Sequence, residues 1–141
     1  QLQEECDTAY LFISHDLAVI GFLSDSIAVM YLGELLEVGY GRDLFRPPFH
    51  PYTEALVSAI PRLGTQPQVP AVRLSEDIPS PRATPCGCRF HTRCVRKIGD
   101  ICEHDIPPWR DDENGHSIRC HIPLETLTNE QQGIGLLREG M

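Results

Sequence analysis

The sequence predicts an α/β chain that ends in a small, irregular cysteine-rich lobe. Three observations carry this expectation. A short apolar run, Tyr10-Leu-Phe-Ile-Ser14, leads straight into a helical pattern at Leu17, Val19, Ile20, Phe22 and Leu23. Two further apolar runs flank Gly33-Glu34, as in a hairpin. The stretch from Cys86 to Cys120 then holds five of the six cysteines but few aliphatic side chains, too few for an ordinary core.

Taken in order, Tyr10 to Ser14 reads as a strand of the kind buried between parallel neighbours. The helix after it is capped by Asp16, whose carboxylate is placed to accept N–H groups of the first turn. His15 then falls on the turn at the strand's C-terminal end, the edge at which open α/β sheets bind ligands. Ser26 to Leu32 and Leu35 to Gly39 are the two strands of the hairpin. Arg42 to Arg46 is expected to form one helical turn, stopped by Pro47 and Pro48. Pro51 suits a first helical position, and Tyr52, Ala55, Leu56, Ala59 and Ile60 share one face of the helix that Pro61 ends. Residues 62–85 have the composition of a connector, with a short strand candidate at Ala71 to Leu74. After Pro123, Leu124, Leu127, Ile134 and Leu137 suggest a marginal tail helix. A domain boundary is placed near Pro47, dividing residues 1–46 from residues 47–141.

Twenty acidic and twelve basic residues among 141 give a formal charge of −8, which disfavours nucleic acid as a main partner. The apolar runs are far shorter than the ~18 residues a membrane span needs, and no basic-then-apolar run ends in a small-residue cleavage site, so secretion is not expected. A reducing compartment is therefore expected, where clustered cysteines signify metal or redox chemistry more often than disulfides. The chain opens at Gln1 on a strand-like run, so it is read as part of a longer protein.

The ordered set Phe12-Ile-Ser-His-Asp-Leu17, Ile27-Ala-Val-Met-Tyr-Leu-Gly33 and Glu37-Val-Gly39 resembles the switch-histidine region of ABC ATPases. The resemblance implies that residues 1–46 are the C-terminal end of a nucleotide-binding domain, with His15 as the catalytic residue at the γ-phosphate of ATP. Phosphoryl transfer depends on placing polar groups around developing charge, which suits an imidazole at a strand end. No G-x-x-x-x-G-K-[ST] phosphate loop, signature helix or aspartate-glutamate strand occurs in the sequence, so this chain alone is not expected to hydrolyse ATP. Pro47-Pro-Phe-His-Pro-Tyr52 and the helix after it resemble the motif that opens the C-terminal extension of oligopeptide and dipeptide transporter ATPases. Ile78-Pro-Ser-Pro81 and Cys86-Gly-Cys-Arg-Phe-His-Thr-Arg-Cys94 resemble later parts of that extension. The family implies ATP and Mg²⁺ as ligands of the intact subunit. Its implied partners are a pair of membrane permeases, a second ATP-binding subunit and, indirectly, an external peptide-binding protein. The implied location is cytoplasmic, on the inner face of the cell membrane.

Cys88, Cys94, Cys102 and Cys120 follow the spacing C-x5-C-x7-C-x17-C. The resemblance implies that these four hold a [4Fe–4S] cluster. Zinc and unligated thiols are the alternatives, although zinc usually takes closely paired cysteines that this spacing lacks, whereas each cysteine of a cluster binds a separate iron. Arg82, Arg89, Arg93, Arg96 and Lys97 form a basic run suited to offset the charge of such a cluster. Cys86 is a spare thiol or exchanged ligand, Cys6 an isolated thiol. His91, His104, His116 and His121 lie near the cysteines, where any of them is an alternative ligand, and each is read first as a surface or supporting residue. A reading of another class is a free-standing iron–sulfur or zinc module with a redox or structural role, in which His15 is merely structural.

Overall fold

The computed structural model describes residues 5–41, 43–60, 80 and 83–134. Mixed helices and one antiparallel sheet make up the fold. The first helix, α1 (Leu17–Leu23), begins where Asp16 Oδ1 accepts the Ala18 and Val19 N–H groups at 3.0 and 3.2 Å. Ahead of it, residues 8–14 form no strand, and Leu11 and Ile13 are 90% and 93% exposed. The expected strand at Tyr10 to Ser14 is thus not formed. None of the described residues pairs with this run as a neighbouring strand, and a lone extended segment has nowhere to direct its backbone hydrogen bonds.

Strands β1 (Ser26–Tyr31) and β2 (Glu34–Tyr40) pair antiparallel as the expected hairpin, with its turn one residue earlier than the sequence suggests. Leu32 and Gly33 occupy the turn with φ of 45° and 79°, the paired positive values that match the twist of a two-residue hairpin. A bulge interrupts the register, because Val29 faces Glu37 while Met30 faces Leu35. Leu36 is the extra residue, and both Leu36 and Glu37 are buried in consequence. Residues 43–46 close the turn expected there, Leu44 N donating to the Tyr40 carbonyl at 3.1 Å.

Helix α2 (Pro51–Ser58) starts at Pro51 and buries Thr53, Glu54, Ala55 and Val57. It packs over a cluster of Ile27, Val29, Leu44, Phe45, Phe49, Val57 and Ile134. Among residues 83–134 come a short 3₁₀ turn at His91–Arg93, the four-residue α3 (Ile101–His104), strands β3 (Trp109–Asp111) and β4 (Ser117–Arg119), and α4 (Leu124–Glu130). The β3–β4 hairpin was not expected from so short and polar a sequence. It forms because β4 pairs with β2, Glu37 facing Ile118 and Val38 facing Ser117, which gives one sheet of order β1-β2-β4-β3. Strand pairing therefore runs across position 47. The strand candidate at Ala71 to Leu74 lies outside the described residues. Among the described residues no helix is long and apolar enough to cross a membrane.

Candidate metal centre

The approach to the centre begins at a helix terminus. His50 is the N-cap of α2, its Nδ1 accepting the Tyr52 N–H at 3.1 Å, and the ring is 1% exposed. Burial in apolar surroundings pushes its pKa down to about 3, so the ring is neutral. The His50 N–H donates to Glu37 Oε2 at 2.8 Å, which fastens the helix start to the bulge of β2. Glu37 Oε1 lies 2.7 Å from Nε2 of His116, which precedes β4.

Over this frame sits the loop that carries two of the cysteines. Phe90 is fully buried against Tyr31 and Tyr52, with ring centroids 5.4 and 5.3 Å away, and its ring lies 5.9 Å from that of His50. Such edge and tilted contacts are the favoured aromatic arrangements. Pinning Phe90 fixes Cys88 on one side and Cys94 on the other. Gly87 brings the loop against α3: Cys88 N donates to the Cys102 carbonyl at 2.9 Å, and at φ +62° a Cβ on Gly87 would lie 2.6 Å from that same oxygen. Cys120 follows β4 and is held by Arg110, whose Nε and Nη2 donate to the Cys120 and His121 carbonyls, both at 2.9 Å.

Cys88, Cys94, Cys102 and Cys120 consequently line one pocket, together with His50, His91, Arg96 and His121. Burial raises the Cys88 thiol pKa, pushes Cys94 up to about 12 and pushes Cys120 up to about 11, and the proximity of the other cysteines adds to the rise. Backbone N–H groups work against it: Phe90 N–H bonds to the Cys88 sulfur, Arg96 N–H to Cys94 and Ile122 N–H to Cys120. Sulfurs that accept amide donors and share one pocket could be taken up by a cationic metal group, which would favour the thiolates that burial disfavours at Cys88, Cys94 and Cys120. Among the described residues, no group of three or more His, Cys, Asp or Glu side chains is drawn close enough to hold a single metal ion.

Cys6 and Cys86 are exposed and lie outside the pocket lining. His104 is exposed, whereas His116, expected near the surface or in support of the cysteines, is buried against Glu37. The basic run is neutralised by carboxylates more than expected: Arg89 pairs with Glu34 at 3.0 Å, Arg96 with Glu54 at 2.6 Å and with Glu130, and Lys97 with Glu103. Arg82 lies outside the described residues. His15 is exposed on the bend before α1 and does not line the cysteine pocket. Sequence reasoning missed Glu37 and His50. A histidine directly before an N1 proline was the available signal for His50, since it occupies the capping position.

Residues 36–102 match the family described as the oligopeptide/dipeptide transporter, C-terminal region. Residues 36–102 carry the C-terminal region of that transporter family. It is 43% identical over 125 residues to the oligopeptide transport ATP-binding protein AppF of Bacillus subtilis, covering 86% of this chain and 37% of that protein. It is 41% identical over 119 residues to the dipeptide transport ATP-binding protein DppF of Escherichia coli, with 84% and 35% covered. A putative peptide import ATP-binding protein of Brucella ovis is 43% identical over 119 residues, with 84% and 37% covered. The chain therefore spans little more than a third of the length of these relatives. Within the transporter C-terminal region, the matched segment runs from the bulge of β2 through His50 and Phe90 to Cys102, the parts that assemble most of the pocket.

Proposed function

We propose that this chain is the C-terminal part of the ATP-binding subunit of a peptide importer. The observation that carries the reading is the identity of 41–43% to peptide transport ATP-binding proteins over more than four-fifths of the chain. In the intact subunit, ATP and Mg²⁺ are bound largely by segments outside this sequence, and hydrolysis drives peptide uptake through permease subunits in the membrane. The subunit sits on the cytoplasmic face against those permeases, beside a second ATP-binding subunit, and meets the external peptide-binding protein only through them. Residues 1–46 complete the nucleotide-binding domain, and residues 47–141 form the extension with its cysteine lobe. His15, at the start of α1, acts on the γ-phosphate and positions the attacking water. Replacing it by alanine in the full-length subunit is expected to leave ATP binding largely intact and to reduce turnover at least tenfold, a loss of about 1.4 kcal/mol in transition-state stabilisation. Wild-type transport in His15→Ala would refute this role.

Cys88, Cys94, Cys102 and Cys120 are read as the ligands of a [4Fe–4S] cluster. When bound, the cluster supplies a one-electron centre and a cross-link among the loops that carry the four cysteines. The protein's part is to hold the sulfurs apart in one pocket, exclude water and aim amide donors at them. Full-length subunit purified without oxygen is expected to contain iron and sulfide in equal amounts, about four each, and to lose them in Cys88→Ser or Cys120→Ser but not in Cys6→Ser. A colourless subunit containing one zinc would refute the cluster.

A further inference from the structure

The pocket contains a hydrogen-bond donor that the protein leaves unused. Nε2 of His50 is buried and has no partner. Because Nδ1 accepts the Tyr52 N–H, the single proton of the neutral ring resides on Nε2. A buried N–H without an acceptor is costly, so its retention at the wall of this pocket calls for an acceptor there. Other side chains bordering the pocket direct donors elsewhere. His91 Nδ1 donates to the Cys88 carbonyl at 2.9 Å and His121 Nε2 to the Asp105 carbonyl at 3.0 Å. Arg96 directs Nε and Nη2 to Glu54 and Nη1 to Glu130.

We propose that His50 is a positioning and tuning residue, whose Nε2–H donates to a sulfur of the group held by Cys88, Cys94, Cys102 and Cys120. This rests on the cluster reading above. Its consequence is specific. A hydrogen bond to sulfur favours the more negative, reduced state, so it raises the reduction potential. The couple is the uptake of one electron, supplied in the experiment by dithionite. The four cysteine–iron bonds are kept and no proton moves, His50 retaining its own.

The two nitrogens can be tested apart by substitution. Asparagine is a good N-cap and supplies an acceptor close to the Nδ1 position, but it is too short to replace the Nε2–H. Glutamine carries an amide N–H near the Nε2 position. In anaerobically purified full-length subunit, His50→Asn is expected to keep the wild-type iron and sulfide content while its reduction equilibrium constant falls roughly tenfold, about 59 mV for one electron. His50→Gln is expected to remain near the wild-type potential. Protein labelled with ¹⁵N-histidine and reduced by dithionite should show a weak ¹⁵N coupling to the paramagnetic centre, absent in His50→Gln. An unchanged potential in His50→Asn overturns the proposal, as does absence of the ¹⁵N coupling in the wild type, a readout that survives even if His50→Asn fails to retain iron. Wild-type protein lacking iron and sulfide overturns the cluster reading itself, a result distinguishable from both.

Discussion

Glu37 has no exposed surface, yet its carboxylate accepts the His50 N–H and faces the His116 ring. Glu37→Ala would leave both groups buried without an acceptor. A loss of about 3–5 kcal/mol is expected, as for one partner removed from a buried pair, and a lowered denaturant midpoint of the full-length subunit would register it. The same pair makes stability depend on pH. Burial disfavours the charged His116 ring, but the hydrogen bond and charge of Glu37 outweigh burial and raise its pKa above 6.5. A raised folded pKa contributes stability that is fully present below 6.5 and is lost as pH rises through the folded value. Glu37 is also raised, chiefly by burial, and acts with the same sign from 4.5 upward. Melting temperature is therefore expected to fall as pH is raised above 6.5, and His116→Gln to flatten the profile. A profile that rises over that range would contradict the pairing. None of this was legible in the sequence. Period-two alternation with Leu36 inward turns Glu37 outward, and the bulge that reverses it depends on pairing with β1.

At the scale of elements, legibility followed locality. The cap and bounds of α1, the β1–β2 hairpin, the proline start of α2 and the helix after Pro123 depend on neighbours a few residues away, and all were readable. The run at Tyr10 to Ser14 and the β3–β4 hairpin depend on partners distant in sequence; the first was misread and the second was missed. The clustering of Cys88, Cys94, Cys102 and Cys120 came from family resemblance, whereas the elements that gather them, the Phe90 plug and the Gly87 crossing, carry no spacing signature. Gly87 offers a test of that crossing. An alanine there would adopt the left-handed conformation at a cost of about 1–2 kcal/mol, and its Cβ would meet the Cys102 carbonyl and the Glu103 backbone at 2.6 and 2.7 Å. Backbone cannot yield as a flexible side chain does. Gly87→Ala is expected to lower stability by at least that amount, and an unaltered melting curve would show that the Cys88–Cys102 approach is dispensable.

For the molecule as a whole, the sheet and the pocket bind one end of the described chain to the other. Gln131, just past α4, accepts the Phe49 N–H at 2.7 Å and donates to the Phe49 carbonyl and to Glu54 at 3.0 and 2.9 Å, although Phe49 and Gln131 stand 82 positions apart. The pairing of β2 with β4 spans a similar distance, Glu37 and His116 being 79 positions apart. That distance has a consequence in time. A ribosome adding about 5–20 residues per second needs roughly 4–16 seconds to extend the chain from Glu37 to His116, and throughout that interval one edge of β2 has backbone groups with no strand to meet them. An unpaired edge is a template for the wrong partner, so a nascent chain of this protein depends on its speed of synthesis, or on a chaperone that shields the hairpin, until β4 has been made.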